Sequence, residues 1–374
     1  GISGGGSGGC LKLIADRNYV SDGSCSGCNF SGATDNIIMG THAGRDQTSG
    51  DYNVMFGYCA GSNSTTGYNN VFIGKNAGCG NSSSGVTGQQ NVAIGCHAGC
   101  GLSSGGGNTL LGYRAAPQLS TGSDNMVIGL AGYNLTTGQH NFMAGYSAGS
   151  GSNTNYVVAI GAYAGVCSGE GSIVIGYAGG YHNTGFDNVF LGRTAGCGSS
   201  GNSNAHNSIG IGRQSLFAVQ GGDYNIGLGY RAGCAITSGN SNILIGDSSG
   251  KNLTTGGYNI MIGSNMSAGS ATGSCQLEIG RGTDRWIVGD SSFNVTLAGA
   301  GITAYNSGGI FHATKFCGDG SCLTGVAGFA QDGYGNLVAG TLAGPASPVA
   351  YTCCNVVIGC KAGCCLYEGS KNVF

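Results

Sequence analysis

A nine-residue unit recurs along this chain and constrains its fold more than any other feature. The unit consists of Asn, three apolar residues, Gly, two variable residues and Ala-Gly, as in Asn53 to Gly61, Asn70 to Gly78 and Asn91 to Gly99. A short, nearly fixed period of about 17 residues, with a range of roughly 15 to 21, predicts a solenoid with constant rungs and variable loops. The triplet glycines are Gly40, Gly57, Gly74, Gly95, Gly112, Gly129, Gly145, Gly161, Gly176, Gly192, Gly212, Gly229, Gly246, Gly263 and Gly280.

The three apolar residues of each unit are too few for a helix and predict a short β-strand. In a strand the first and third residues point to one face and the second to the other. The second residue would be polar if one face were solvated, yet it is apolar in nearly every unit, with Glu278 a late exception. We therefore predict that both faces are buried, one inside the coil and one against a second strand layer or neighbouring chains around a symmetry axis.

The position before the apolar triplet is asparagine in eleven of the fifteen units. Identical asparagines stacked at roughly 4.8 Å per rung can hydrogen-bond to one another as a ladder. The triplet glycine and the later Ala-Gly predict corners, where a positive φ or a close backbone approach excludes a side chain. Fifteen rungs would extend about 70 Å. The predicted ladder is Asn36, Asn53, Asn70, Asn91, Asn108, Asn125, Asn141, Asn188, Asn225, Asn242 and Asn259.

The composition supports an all-β fold and argues against several classes of partner. Glycine accounts for 79 of the 374 residues, and each glycine inside a helix costs about 1 kcal/mol relative to alanine. The formal net charge of −2 offers no attraction for nucleic acid. The apolar runs are only a few residues long, so we expect no membrane insertion. We also expect no cofactor, because the glycine-rich run from Gly4 to Gly9 lacks the lysine and helix of a phosphate-binding loop.

The period divides the chain into four predicted regions. Residues 1–35 form a Gly/Ser-rich lead-in, residues 36–280 the repeat shaft, residues 281–352 a non-repeat insertion or joint module, and residues 353–374 a resumed, truncated repeat. The final stretch, 372–374, opens another unit one period after Asn355. We therefore expect the chain to be a segment of a longer polypeptide.

The Asn-Val-x-Ile-Gly-x-x-Ala-Gly units with Thr-Thr-Gly loops resemble the repeat regions of bacteriophage tail fibre proteins, particularly those of phages that infect cyanobacteria and other aquatic bacteria. The stretches from Arg285 to Val295 and from Phe316 to Gly325 also resemble that group. A similar, shorter unit occurs in the head domains of trimeric autotransporter adhesins, which form left-handed β-rolls. The resemblance implies a homotrimer, extracellular exposure and attachment to a cell surface. The 18 cysteines are more than such fibres are expected to carry.

Five cysteines occupy the same position, five residues after the triplet glycine: Cys79, Cys100, Cys197, Cys234 and Cys364. Cys79 and Cys100 lie in consecutive units, so they would stack one rung apart, near the Cα separation of about 4.4 to 6.8 Å that a disulfide needs. Oxidative stapling of an extracellular fibre is the favoured interpretation. Small buried thiols and, less favoured, a metal site are the alternatives. The disulfide candidates, whose pairing stays open, are Cys79, Cys100, Cys25, Cys28, Cys317 and Cys322.

Catalytic groups are sparse in this sequence. An enzyme that cleaves polysaccharide needs paired carboxylates in a groove, and the nearest pair is Asp284 with Asp290, for which a surface turn is the favoured role. His42 and His97 share a position two residues after the glycine and indicate surface variation. Five tyrosines directly follow the triplet glycine and suit either lateral packing at a trimer seam or, less favoured, stacking on carbohydrate. They are Tyr58, Tyr113, Tyr146, Tyr177 and Tyr230.

These observations predict an all-β chain, a parallel β-solenoid or β-roll of 15- to 21-residue coils that forms a homotrimeric extracellular fibre. The expected function is non-enzymatic: a phage tail fibre segment that attaches the virion to a glycan or protein receptor on a bacterial surface. A microbial cell-surface adhesin or a self-assembling extracellular filament is the alternative. A polysaccharide-degrading tailspike is the third hypothesis.

Overall fold

The computed structural model describes residues 11–14, 17–21, 25–80, 85–198, 203–297, 302–304, 311–313, 330–331, 337–339, 352–353, 356–358 and 369–370. All regular structure in these ranges is β-strand, as predicted, and within them no helix is long and apolar enough to cross a membrane. The chain divides into two units, Gly1–Ala313 and Thr314–Phe374. The first unit contains a β-solenoid of about 15 turns, which confirms the predicted fold class.

Each repeat contributes one three-residue strand to a single sheet, lengthened to five residues only at the last two repeats. Neighbouring repeat strands pair in parallel and in register, so that Val54 lies opposite Val71 and Met55 opposite Phe72. The repeat strands are β3 (Ile37–Met39), β4 (Val54–Phe56), β5 (Val71–Ile73), β6 (Val92–Ile94), β7 (Thr109–Leu111), β8 (Met126–Ile128), β9 (Phe142–Ala144), β10 (Val158–Ile160), β11 (Ile173–Ile175), β12 (Val189–Leu191), β13 (Ile209–Ile211), β14 (Ile226–Leu228), β15 (Ile243–Ile245), β16 (Ile260–Ser264) and β17 (Leu277–Arg281).

Two strands precede the repeats. β1 (Leu11–Ile14) pairs antiparallel with β2 (Asn18–Ser21), and β2 pairs in parallel with β3 through Tyr19 and Val20. The parallel sheet therefore begins one strand earlier than the repeat period indicates, inside the stretch that the sequence presents as a lead-in.

The core lies inside the coil and is built mainly from the second residue of each strand. Ile38, Met55, Phe72 and Leu110 are fully buried there. The alanine of each Ala-Gly is buried beside them, as at Ala77. Loop residues complete this core, including Leu135 and Leu253, which precede the Thr-Thr-Gly loops. Burial of such side chains contributes about 1.5–3 kcal/mol each.

The structure corrects the reason given above for a partner chain. The apolar second residue, such as Phe72, is buried within its own coil, so its apolarity requires no neighbour. The first and third residues point outwards instead, and they are half-buried or exposed, as Val71 and Ile73 are. The outward pair, rather than the middle residue, is therefore what bears on assembly.

The triplet glycines form a column along the coil, and at most of its positions a side chain would collide with the next rung. Gly229 has φ +135°, outside the conformations of other residues, and a Cβ there would lie 2.5 Å from the carbonyl oxygen of Gly246 on the next rung. A side chain would have to displace the backbone of the next coil. This close approach to the next rung explains the triplet glycine in most repeats. At Gly129 a Cβ would lie no nearer than 3.8 Å to any atom beyond its chain neighbours, and there the φ of +84° alone favours glycine. At Gly280 a Cβ would instead approach the carbonyl oxygen of Asp284.

Two repeats show how the core keeps its volume when the pattern changes. The middle strand residue is glycine at Gly210 and Gly227. In the intervening turn, Leu216 occupies the place of the glycine of Ala-Gly, with φ +49°, and is fully buried. A Cβ on Gly227 would lie 3.0 Å from Cγ of Leu216, so the leucine fills the space that the strand glycine leaves.

The parallel sheet ends at β17, where the sequence period also stops. There β18 (Asp284–Gly289) folds back antiparallel on β17, followed by the antiparallel strands β19 (Val295–Leu297), β20 (Ile302–Ala304) and β21 (Phe311–Ala313). Glu278 takes the buried middle position of β17. Its Oε2 lies 3.0 Å from Nε of Arg285 on β18, and its Oε1 accepts a hydrogen bond from the Gly269 N–H at 2.8 Å.

The second unit, considered by itself, contains five described strands: β22 (Ala330–Gln331), β23 (Leu337–Ala339), β24 (Thr352–Cys353), β25 (Val356–Ile358) and β26 (Gly369–Ser370). β23 pairs antiparallel with β22 and in parallel with β25, and β24 pairs in parallel with β26. β25 is the apolar triplet of the resumed repeat at Asn355, so that triplet also forms a strand.

Candidate functional site

The apolar face, defined as the first and third residues of β3 to β17, runs along the outside of the solenoid. All thirty of these residues are apolar except Thr109. Phe56 is 43% exposed, Ile94 38% and Met126 45%. Soluble monomers rarely expose a continuous apolar patch of more than a few hundred Å², and larger patches mark interaction sites. The apolar face is therefore a candidate assembly surface.

The five tyrosines after the triplet glycine border the apolar face, and all five are exposed. Tyr163, one position further along its repeat, packs edge-on against Tyr146 at 5.3 Å and Tyr177 at 6.1 Å between ring centroids. Arg213 lies over the ring of Tyr230, 5.7 Å from its centroid. Tyr146, Tyr163 and Tyr177 of three successive rungs therefore form a row, and arginines lie over the rings of Tyr113, Tyr177 and Tyr230.

The eleven asparagines predicted as a ladder are all buried and stack along the coil. Asn242 illustrates the geometry: its Nδ2 donates to Oδ1 of Asn225 at 2.9 Å and to the carbonyl of Gly256 at 2.9 Å. Its own Oδ1 accepts from the backbone N–H of Asn259 at 3.0 Å and from Nδ2 of Asn259 at 2.9 Å. Each side chain therefore satisfies buried backbone groups of its own turn and of the next rung.

The column extends beyond the predicted asparagines and tolerates substitution. Asn18 begins it one rung earlier, and its Oδ1 accepts from Nδ2 of Asn36 at 2.9 Å. Where the repeat carries serine, the hydroxyl still serves as the acceptor: Ser208 accepts from the N–H of Asn225 at 3.2 Å. The sequence signal for Asn18 is partial: it stands before Tyr19 and Val20 as the other ladder asparagines stand before their triplets, but no triplet glycine follows.

A second column, here called the left-handed column, consists of the residue immediately before the ladder position in each of the fifteen repeats; Arg17, which precedes Asn18, has the same conformation with φ +64°. All fifteen members have φ between +52° and +69°. Backbone hydrogen bonds hold this conformation, as where the N–H of Tyr156 donates to the carbonyl of Gln139 at 3.1 Å. The members are Asp35, Tyr52, Asn69, Gln90, Gly107, Asp124, His140, Tyr156, Gly171, Asp187, Asn207, Tyr224, Ser241, Tyr258 and Cys275. Sequence reasoning missed this column because its residue types are so varied.

Only Gly107 and Gly171 lack a side chain in the left-handed column, and a surface cleft opens at each. Each cleft has a volume of about 480 Å³. In both, the aspartate of the following rung, Asp124 or Asp187, directs its carboxylate into the space that a side chain on the glycine would fill. The two clefts thus share their backbone geometry and differ in their walls.

The predicted cysteine stack is present, with free thiols. Sγ of Cys79 lies 3.5 Å from the carbonyl oxygen of Cys100, one rung away. A hydrogen bond between the two thiol groups lowers the pKa of the Cys100 thiol to about 7. The same thiol–thiol bond, together with burial, raises the pKa of Cys79. Cys25 and Cys28 are also free and exposed. Cys317 and Cys322 lie outside the described residues, and disulfide formation by any of these candidates stays a prediction.

The candidate carboxylate pair is separated by a strand. Asp284 begins β18 and Asp290 follows its end, about 20 Å away at 3.3 Å per residue. Hydrogen bonds from the Asn294 side chain and from the backbone N–H groups of Asn294 and Ser292 lower the pKa of Asp290. Asp290 therefore stabilises the turn after β18, which is the role favoured by the sequence.

The two histidines that share a repeat position occupy similar places on the coil. His42 packs edge-on against Tyr58 at 6.1 Å, and His97 Nε2 lies 3.0 Å from Nδ2 of Asn76. Over the described part of the chain, no group of three His, Cys, Asp or Glu side chains could hold a metal ion.

Comparison of the chain with protein-family models, with curated proteins and with solved structures gives no match.

Proposed function

We propose that this chain forms the shaft of an extracellular fibre in which three parallel copies pack their apolar faces around a common axis. The observation that carries the proposal is the apolar face itself, thirty outward positions with a single polar residue. A three-fold assembly brings the same face of each chain to the axis, so one repeating sequence serves all three.

The magnitudes favour a stable assembly. Complete burial of a Val, Ile or Leu side chain contributes about 1.5–3 kcal/mol, and these residues are already more than half buried, so each retains roughly 1 kcal/mol. Association costs an estimated 4–15 kcal/mol. Summed over a face that is continuous along fifteen rungs, the free energy of burial exceeds this cost, even if only some of the residues become fully buried.

We assign the fibre to a virion and its role to attachment to a bacterial surface. The resemblance of the Asn-Val-x-Ile-Gly-x-x-Ala-Gly unit to phage tail fibre repeats supports this assignment. In this proposal the chain acts outside the cell, binds a surface glycan or protein, and catalyses no reaction.

Native mass measurement tests the assembly. We expect a species of three times the 36.9 kDa chain mass. Replacement of outward residues in the double variant Ile175→Glu, Ile211→Glu should release monomers, because it places charges in the buried interface. The matched control, Thr66→Glu with Ser238→Glu, changes exposed loop residues and should leave the trimer intact. A monomeric wild-type chain would refute the trimer.

Immunogold labelling of source material tests the location and role. Labelled fibres on virions, and reduced virion adsorption to host cells in the presence of the purified chain, are the expected results. Labelled filaments on cells would favour the adhesin or surface filament instead. Release of oligosaccharides from host polysaccharide would contradict the non-enzymatic role.

A further inference from the structure

The cleft at Gly171 differs from the one other gap in the left-handed column, at Gly107, because aromatic rings bound it. Tyr156 precedes Gly171 in the column by one rung, and Phe186 lies on the rung after it. Both rings are exposed, at 58% and 50%. Glu170 and Asp187 complete the lining with two carboxylates. The same rungs therefore present two apolar ring faces and two hydrogen-bond acceptors.

Neighbouring side chains hold both rings in place. His140 stacks on Tyr156 with ring centroids 5.1 Å apart and planes at 11°, which covers one face of the tyrosine and leaves the face towards the gap open. His206 packs on Phe186 at 5.0 Å, and its Nδ1 accepts the Phe186 N–H at 3.0 Å. The walls are thus supported before any ligand enters, which reduces the entropic cost of binding.

The dimensions of the gap suit one flat, partly apolar group. Two rungs separate Tyr156 from Phe186, which corresponds to about 9–10 Å along the sheet. A pyranose ring stacked at van der Waals distance from each aromatic face needs about that space. Its hydroxyl groups would donate to the carboxylates of Glu170 and Asp187 in charge-assisted hydrogen bonds. A sugar that carries its own carboxylate or phosphate would be repelled by them.

We infer that the Gly171 cleft binds one pyranose unit of a neutral or amine-bearing glycan. This inference rests on the proposed attachment function and specifies its receptor class and its contact point on the shaft. The Gly107 cleft is the internal comparison. It has the same volume, the same missing side chain and an equivalent aspartate, yet its walls include Gln89, Gln90 and Ser123 and no aromatic ring.

Saturation-transfer NMR on the assembled full chain tests the inference, with glucose, galactose, N-acetylglucosamine, glucosamine and glucuronic acid as probes. We expect at least one neutral or amine-bearing sugar to bind and glucuronic acid to bind more weakly. Absence of binding by all of them, or preference for glucuronic acid, overturns the inference. The inference is also overturned if a lysine-rich peptide binds to the wild-type chain but not to Gly171→Asn, while none of the sugars binds.

Matched variants locate the binding. Gly171→Asn should abolish it, because the asparagine side chain fills the gap and displaces the Asp187 carboxylate from it. The left-handed backbone tolerates asparagine, as Asn69 and Asn207 show with φ of 57° and 52°. Gly107→Asn makes the same change in the cleft without aromatic walls and should leave binding unchanged. Tyr156→Asn should weaken it about tenfold through loss of the stacked ring. Equal binding by Gly171→Asn and wild type overturns the inference.

Trimer mass and virion adsorption, measured on the same variants, separate this inference from the proposed function. Gly171→Asn trimers that no longer compete with virion adsorption support both. If the trimers of Gly171→Asn compete as well as wild type, the cleft is not the receptor site, and the fibre proposal still stands.

Discussion

The asparagine ladder makes the sharpest stability prediction, at Asn242. Replacement by alanine removes the donor to the Gly256 carbonyl and the acceptor for the Asn259 N–H, while Nδ2 of Asn259 keeps its bond to the Gly273 carbonyl. Two buried backbone groups are then left without partners. Each costs about 1–3 kcal/mol, so we expect Asn242→Ala to destabilise these rungs by about 2–6 kcal/mol.

A graded series distinguishes the ladder from simple loss of packing. Asn242→Ser keeps an acceptor for the Asn259 N–H, in the way that Ser208 does for Asn225, and loses the donor to Gly256. The serine also loses the Nδ2 bond to Oδ1 of Asn225, but that oxygen keeps the hydrogen bond from the Asn242 N–H. Asn242→Ser should therefore cost about half as much as alanine, since one buried backbone group instead of two loses its partner. Ser238→Ala alters an exposed residue of the same coil and should change the stability by less than about 0.5 kcal/mol.

Hydrogen exchange is the suitable assay, because a solenoid opens locally and a single global unfolding energy does not describe it. The amide of Asn259 and the strand amides of β15 and β16 should exchange fastest in Asn242→Ala, more slowly in Asn242→Ser and most slowly in the wild type. If Asn242→Ala exchanges no faster than Ser238→Ala, the ladder contributes nothing beyond packing and the reasoning fails.

Two further predictions concern titratable groups. Burial raises the pKa of Glu278, while the Gly269 N–H and the Arg285 charge lower it. Arg285→Ala leaves Oε2 of the buried carboxylate without a partner and should cost about 1–3 kcal/mol at pH 7. A carboxyl group whose pKa is higher in the folded than in the unfolded state destabilises the folded state as the pH rises through these pKa values. Acidification protonates Glu278 and should therefore restore the stability that Arg285→Ala loses at pH 7. Thermal unfolding at pH 7 and at about pH 4 checks it, with exposed Arg281→Ala as a control that should show no such pH dependence. The pKa of Cys100 is near 7, whereas burial raises the pKa of Cys197. At pH 7 iodoacetamide should therefore alkylate Cys100 several times faster than Cys197, which peptide mass spectrometry can measure. Equal alkylation rates would contradict the lowered pKa of Cys100.

Much of the fold follows from the repeat because each element is local and occurs many times. A triplet between Asn and Gly has only one regular structure available to it, and fifteen copies at a short period leave stacking as the way to bury it. The glycine column likewise follows from a residue type that alone tolerates a φ such as the +130° of Gly40. The solenoid and its strands could therefore be predicted without a structure.

The assignment of faces could not be predicted in the same way, since all three triplet positions are apolar. Alternation shows that Phe72 opposes Val71 and Ile73, but it does not say which side the coil closes around. The closure depends on where the glycine corners and buried loop leucines turn the chain. Only the tertiary structure shows that the middle residue of each triplet points into the coil, while the first and third residues point outwards and stay partly exposed to solvent.

The Gly171 cleft marks the same limit. The sequence by itself determines that Tyr156, Gly171 and Asp187 precede successive ladder positions, because the repeat numbering aligns them. It does not reveal that all three have a left-handed backbone, or that Phe186 lies beside the gap left by the glycine. Local pattern determines the rung, because a strand and its corners depend on a few adjacent residues. The site depends on side chains from different repeats, which meet only when the rungs stack.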